Sequence, residues 1–174
     1  MRTKIYFYTY YQKDPKESER LALLSVHDFF KDDSVRIEKD KYGKPFLPDK
    51  EAYISVSHSG KLLVVCVSRV EVGIDCEQKR QVTRYRGLSR KYFREEDRVK
   101  VVNEKSVPFL KMWTRYEALS KLDGRGICAL SKLDFSKVRF FDLEELLPFE
   151  TAEKYYITAV SKRSLKPLKE KVMI

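Results

Sequence analysis

Residues 52–57 (AYISVS), 62–68 (LLVVCVS) and 72–77 (VGIDCE) are three short apolar runs, separated by His58-Ser59-Gly60-Lys61 and Arg69-Val70-Glu71. Runs of this length, rich in β-branched residues and bounded by turn residues, read as strands, and their close succession predicts an antiparallel meander. Upstream, residues 3–11 (TKIYFYTYY) are β-branched and aromatic and read as a further strand. Asp14-Pro15 supplies an N-cap followed by proline at the first helical position, with Glu17 three residues after the cap. The helix it opens runs to about Phe30 and puts Ala22, Leu23, Val26, Phe29 and Phe30 on one side. Val35 and Ile37 alternate with charged residues as in a strand, and Tyr42-Gly43-Lys44-Pro45 has the chemistry of a turn. Downstream, helices are expected over residues 89–103 and 108–122, the second with Ser106 as its cap and Asp123-Gly124 as its stop. Two more strands are expected near residues 135–141 and 155–161. The pattern is α+β, helices against antiparallel sheet.

At 174 residues, 43% of them hydrophobic and 13% aromatic, the chain has the makings of one domain-sized core and is no disordered polymer. Lys and Arg number 36 against 26 Asp and Glu, a formal net charge of +10. That balance favours an anionic partner: nucleic acid, a phosphorylated small molecule, an acidic protein or a membrane surface. The longest uncharged apolar run, residues 62–68, falls far short of the ~20 residues of a bilayer crossing. The first residues lack the apolar segment and cleavage site of a signal peptide. Cys66, Cys76 and Cys128 form an odd set without CxxC spacing, so reduced thiols in a cytoplasmic protein are expected rather than disulfides or a zinc site.

Three stretches carry candidate chemistry. In residues 73–77 (GIDCE), strand alternation puts Asp75 and Glu77 on one face and Ile74 and Cys76 on the other. Two neighbouring carboxylates repel unless a cation or proton lies between them, and a hard divalent ion shared with substrate phosphates is the habit of Mg²⁺. The same alternation also suits the exposed face of a half-buried strand. On the second helix, Trp113, Glu117 and Lys121 are spaced i, i+4, i+8 along one stripe. Glu117 and Lys121 make an ordinary surface pair if that stripe is solvated, but a Trp above them argues for burial and a partner for the acid. Residues 55–60 (SVSHSG) end a strand in a hydroxyl-rich turn, where N–H groups, hydroxyls and the His58 imidazole suit a phosphate; a merely structural turn has the same composition.

The order of these blocks is more specific than any one of them. A G-K-P turn at residues 43–45, S-x-S-H-S at 55–59, G-I-D-x-E at 73–77 and W-x-x-x-E-A-x-x-K at 113–121 resembles the Sfp-type 4′-phosphopantetheinyl transferases. The flanks, with an N-terminal strand and helix, Gly124-Arg125-Gly126-Ile127 and a late Tyr-rich strand, are similar too. The resemblance implies a pseudo-two-fold fold, one catalytic unit of two similar halves, residues 1–72 and 73–174, with the carboxylates near their junction. It also implies a monomer that moves the phosphopantetheine arm of coenzyme A to a serine of an acidic acyl or peptidyl carrier protein, with Mg²⁺, releasing 3′,5′-ADP.

Carried over residue by residue, the resemblance makes Asp75, Glu77 and Glu117 the metal ligands. Lys121 would contact the phosphates, and Glu117 would serve as base for the carrier serine. Gly43, Lys44 and Pro45 would pack on the adenine end of coenzyme A, Ser57 and His58 would lie near its phosphates, and Arg20 would meet the 3′-phosphate. Tyr116 departs from the family pattern, which has Lys there, so Tyr116→Lys is expected to be neutral or favourable. Residues 79–105 hold ten Lys and Arg against four Asp and Glu, and Arg84, Arg86, Arg90 and Lys91 are expected to help dock the carrier. A nucleic-acid-binding protein and a metal-dependent nuclease are the rival classes. The scattered basic residues fit no recognised nucleic-acid motif, and a nuclease leaves the G-K-P and S-x-S-H-S blocks unexplained.

Overall fold

Alternation along the first strand sets the layers. In a computed structural model describing residues 3–10, 15–105, 107–132, 134–143, 154–165 and 167–168, β1 (Thr3–Thr9) turns Lys4, Tyr6 and Tyr8 to one side and Ile5 and Phe7 to the other. The first side meets α1 (Pro15–Phe30), whose Leu21, Ala22, Val26 and Phe29 close a core with Tyr6, Tyr8, Leu63, Val65 and Val67. The second side meets a second sheet, through Val64, Cys66, Ile74, Cys76, Ile157 and Ala159. Asp14, the expected cap of α1, lies outside the described residues, as does Ser106.

The short β2 (Glu38–Lys39) and β3 (Pro45–Phe46) form a two-stranded ribbon. Val35 and Ile37, expected as strand, precede β2 without pairing and serve as packing against α1. Gly43 turns the ribbon with a φ of 82°. β4 (Tyr53–Ser59) and β5 (Leu62–Ser68) are an antiparallel hairpin, and the first sheet runs β4-β5-β1-β9, with β9 (Pro167–Leu168) parallel to β1. The expected meander stops there. β6 (Gly73–Gln78) leaves the sheet and begins a second one, ordered β6-β8-β7, with β7 (Arg139–Asp142) and β8 (Tyr155–Ser161).

Side chains join the two sheets where main-chain pairing does not. β6 is an edge strand, and its N–H groups at Ile74, Cys76 and Gln78 donate to the hydroxyls of Ser55, Ser57 and Ser59 at 3.0, 3.2 and 3.0 Å. Residues 55–59 are therefore strand throughout, with only Gly60 and Lys61 forming the turn. The hydroxyl-rich turn expected there is instead one serine face of β4.

On the far side of the second sheet lies α4 (Phe109–Asp123), ended by Gly124 at φ 87° with its N–H on the Ser120 carbonyl. The single helix expected over residues 89–103 is broken. α2 (Tyr85–Tyr92) stops at an extended Phe93, and α3 (Glu95–Arg98) continues into a π-helical turn over Val99–Asn103. Part of the strand expected near 135–141 is a 3₁₀ turn, Phe135–Lys137, before β7. The architecture is α+β, and no helix among the described residues is long and apolar enough to cross a membrane.

Between β1 and α1, the buried Lys4 ammonium lies 3.1 Å from Asp28, and the Tyr6 hydroxyl donates to the same oxygen at 2.8 Å. Burial pushes the Asp28 carboxyl up, but hydrogen bonds from Lys31, Tyr6 and Lys4 outweigh it and bring it down to about 2, from 3.8. A lowered carboxyl stabilises the fold above its unfolded value and ceases to do so as pH falls through the folded one. The melting temperature of the wild-type chain should therefore drop between pH 4 and pH 2 by more than that of Asp28→Asn. Parallel thermal scans over that window would refute the assignment.

Candidate active site

The site is built on a contact that leaves no room for a side chain. A Cβ at Gly73 would stand 2.0 Å from the Ala118 carbonyl oxygen and 2.6 Å from the Leu122 nitrogen, both main-chain atoms of α4. The helix thus lies directly on the β6 backbone, with Ala118, Leu119 and Leu122 packed beside Val160. That seating brings Glu117 and Lys121 over the side of β6 that carries Asp75, while Ile74 and Cys76 enter the inter-sheet core.

Asp75 is 5% exposed. Its Oδ1 takes the Lys121 ammonium at 2.8 Å and the Ser57 hydroxyl at 2.8 Å. Its Oδ2 is buried without a partner among the described residues. Glu77, half-buried, accepts from the Ser59 hydroxyl at 3.0 Å and from Arg80 at 2.7 Å. Burial pushes the Asp75 carboxyl up, against the pull of Lys121 and Ser57. Burial also pushes up Glu117, helped by the charges of Asp75 and Glu77 and opposed by Lys121. The three acids therefore share one electrostatic neighbourhood, in which burial outweighs the pull of Lys121 on Asp75 and Glu117.

The donor set fits a hard divalent cation: three carboxylates, with one buried oxygen left unpaired. As the side chains stand, no three acidic, His or Cys groups among the described residues converge enough to hold an ion. Lys121 and Arg80 instead occupy Asp75 and Glu77.

A cleft of about 370 Å³ opens beside this cluster, lined by Gly43, Lys44 and Pro45 on one side, Ser55 and Val56 on β4, and Glu117 and Lys121 on α4. Gly124, Gly126 and Ile127, from the stretch that follows the last motif, also line it, as does Ser120, which the sequence did not single out. Lys44 is anchored there by its ammonium on the Leu122 carbonyl at 2.6 Å, and burial lowers its pKa.

Three other expected site residues stand apart from this cleft. Ser57 is buried with its hydroxyl committed to Asp75 and the Cys76 N–H. His58 is exposed, 5.6 Å ring to ring from Tyr10, whose side chain belongs to the α1 side of the first sheet. Arg20 lines a larger cleft of about 950 Å³ between α1 and residues 33–39, which meets the first only at Pro45 and Val56.

Tyr116 does not line this cleft. It is 1% exposed, its ring 4.5 Å from Phe93 and 4.8 Å from Phe135. Its hydroxyl accepts from the Arg94 N–H at 2.9 Å and donates to Asp97 at 2.7 Å. It thereby caps α3 and fixes the break that sequence periodicity missed. A lysine here would lose the ring packing, which argues against the neutrality expected of Tyr116→Lys.

A family profile described as the 4′-phosphopantetheinyl transferase superfamily matches residues 71–166. The chain belongs to that superfamily. It is 26% identical over 98 residues to 4′-phosphopantetheinyl transferase Sfp of Bacillus subtilis (strain 168), covering 53% of this chain and 43% of that protein. It is 28% identical over 99 residues to 4′-phosphopantetheinyl transferase gsp of Aneurinibacillus migulanus, 55% of this chain and 40% of that one. To HetI of Nostoc sp., also a 4′-phosphopantetheinyl transferase, it is 29% identical over 111 residues, 59% and 47%. Each match spans less than half of the relative. The family match takes in Asp75, Glu77, Glu117 and Lys121, while Arg20, Gly43–Pro45, Ser57 and His58 lie before it.

Replacing Tyr116 by Phe removes the hydroxyl and leaves the Arg94 N–H without its acceptor, while the Asp97 oxygen it bonded keeps only the Arg94 guanidinium, a loss of about 1–3 kcal/mol. Denaturant unfolding of Tyr116→Phe should show it, and stability equal to wild type would contradict the capping role.

Proposed function

We propose that this chain transfers the 4′-phosphopantetheine arm of coenzyme A to a serine of an acidic acyl or peptidyl carrier protein, releasing 3′,5′-ADP. The observation that carries this is the cleft in which the Gly43–Pro45 turn faces Glu117 and Lys121, with Asp75 beneath. Blocks distant in sequence meet on one concavity, as an elongated diphosphate substrate requires. The turn would take the adenine end, and Lys121, on a flexible stem at the cleft wall, would pair with the diphosphate. Raised by burial, Glu117 is suited to accept a proton from the attacking serine.

Asp75, Glu77 and Glu117 would hold Mg²⁺, which when bound neutralises charge on the 5′-phosphate of the departing 3′,5′-ADP. Ser57 and Ser59 orient Asp75 and Glu77 by hydrogen bonding. His58 and Arg20, removed from the carboxylates, are assigned to the coenzyme A phosphate farthest from the reacting bond. We read the chain as two halves, 1–72 and 73–174, working as a monomer, supported by the change of sheet at Gly73. Cytoplasmic residence is supported by Cys66 and Cys76, free thiols that burial pushes up to about 12.

Intact mass of an apo carrier protein, after incubation with this chain, coenzyme A and Mg²⁺, should rise by one phosphopantetheine, and Glu117→Ala should abolish the rise. No rise together with no coenzyme A binding would overturn the reading.

Arg84, Arg86, Arg90 and Lys91 are all exposed on or beside α2 and form the basic face expected to meet the carrier. Reversing these four charges to Glu should raise the KM for carrier at low salt and leave that for coenzyme A unchanged. Equal shifts in both would place the effect elsewhere.

A further inference from the structure

A cation from the wall of each of two clefts is seated on a carboxylate of β6. Lys121, which lines the 370 Å³ cleft, lies on Asp75 at 2.8 Å. Arg80 lines a different cleft of about 450 Å³, formed with Lys79, Tyr85, Val101, Lys105 and Phe109, and lies on Glu77 at 2.7 Å. Both contacts work against a bound metal ion. Each neutralises a ligand carboxylate, and together they account for three acids sharing a neighbourhood without converging. The buried, unpaired Asp75 Oδ2 shows that Lys121 satisfies only half of its partner.

Resting on the reading of Asp75, Glu77 and Glu117 as metal ligands, we propose that Lys121 and Arg80 are resident counterions that yield these carboxylates to a divalent cation. Each is thereby released into its own cleft. Lys121 then faces an anionic group in the cleft of the Gly43–Pro45 turn. Arg80 joins Lys79 and Lys105 on the rim of the second cleft, whose floor is apolar and aromatic. Cation binding thus adds one free positive charge to each cleft, priming the first for phosphates and the second for an acidic protein surface. The metal-free chain keeps both charges internally paired.

This reverses the usual effect of deleting a site residue. Removing either counterion removes a competitor, so metal binding should strengthen. Mn²⁺ binding to the full chain, without coenzyme A or carrier, is measured at pH 8 from the loss of the free-ion electron paramagnetic resonance signal. Arg80→Gln and Lys121→Gln should each bind roughly three- to tenfold more tightly than wild type, the scale of a partly screened ion pair. Arg80 is exposed, so its variant keeps the fold and stands as the test even if Lys121→Gln is unstable. Unchanged or weaker binding in Arg80→Gln, with binding lost in Asp75→Asn, overturns the counterion proposal alone. Wild-type binding in Asp75→Asn overturns the metal-site reading and the proposal with it. As a second measure, the Arg80 Nε–H nuclear magnetic resonance peak, identified by its absence in Arg80→Gln, should move on adding Mg²⁺ to the wild-type chain. A stationary peak overturns the release of Arg80.

Discussion

Everything at the candidate site depends on the place where a helix lies against bare strand backbone. At Gly73 the main chains of β6 and α4 come closer than any side chain allows. A methyl group there would lift the helix, and with it Glu117 and Lys121, away from Asp75. The other flank of β6 is fixed by Ser55, Ser57 and Ser59, whose hydroxyls take its outward N–H groups. One strand is thus held between a helix backbone and a row of hydroxyls, and both restraints act on the residues that carry the acids.

Holding charges this way opposes stability. Asp75 is buried with one oxygen unpaired, and burial raises both it and Glu117. A chain selected for stability alone would replace Asp75 with an apolar residue. The surrounding core compensates: β5 is buried on both faces, and β1 sets tyrosines against α1 on one side and Ile5 and Phe7 against the second sheet on the other.

How far the sequence could be read follows from how local each feature is. The hairpin of β4 and β5, the extent of α4 with its Gly124 stop, and β8 over residues 155–161 all depend on periodicity and turn chemistry within a few residues. The sharing of one face by Asp75 and Glu77 follows from strand alternation and was legible for the same reason. Membership of β6 in a second sheet was not, because an apolar run does not name its partner, and β8 lies some eighty residues away. Periodicity carried the helix of residues 89–103 straight through Phe93, since the break depends on Tyr116, twenty-two residues beyond Arg94. The S-x-S-H-S block was read by composition as a phosphate cradle. Its serines belong to a strand facing β6, a fact of tertiary packing that no local pattern encodes. Likewise, the i, i+4 spacing of Glu117 and Lys121 left open whether they pair with each other, and Lys121 instead reaches across to Asp75.

The row of serine hydroxyls has a consequence for how these molecules behave in a crowded solution. An unpaired strand edge is a template on which a foreign chain can add itself, the usual start of aggregation. The outward N–H groups of β6 at Ile74, Cys76 and Gln78 are already taken by short side chains fixed on another sheet. An incoming peptide would have to displace three rigidly mounted hydroxyls, two of which are also held by carboxylates. The strand that carries the acids is therefore closed to other strands.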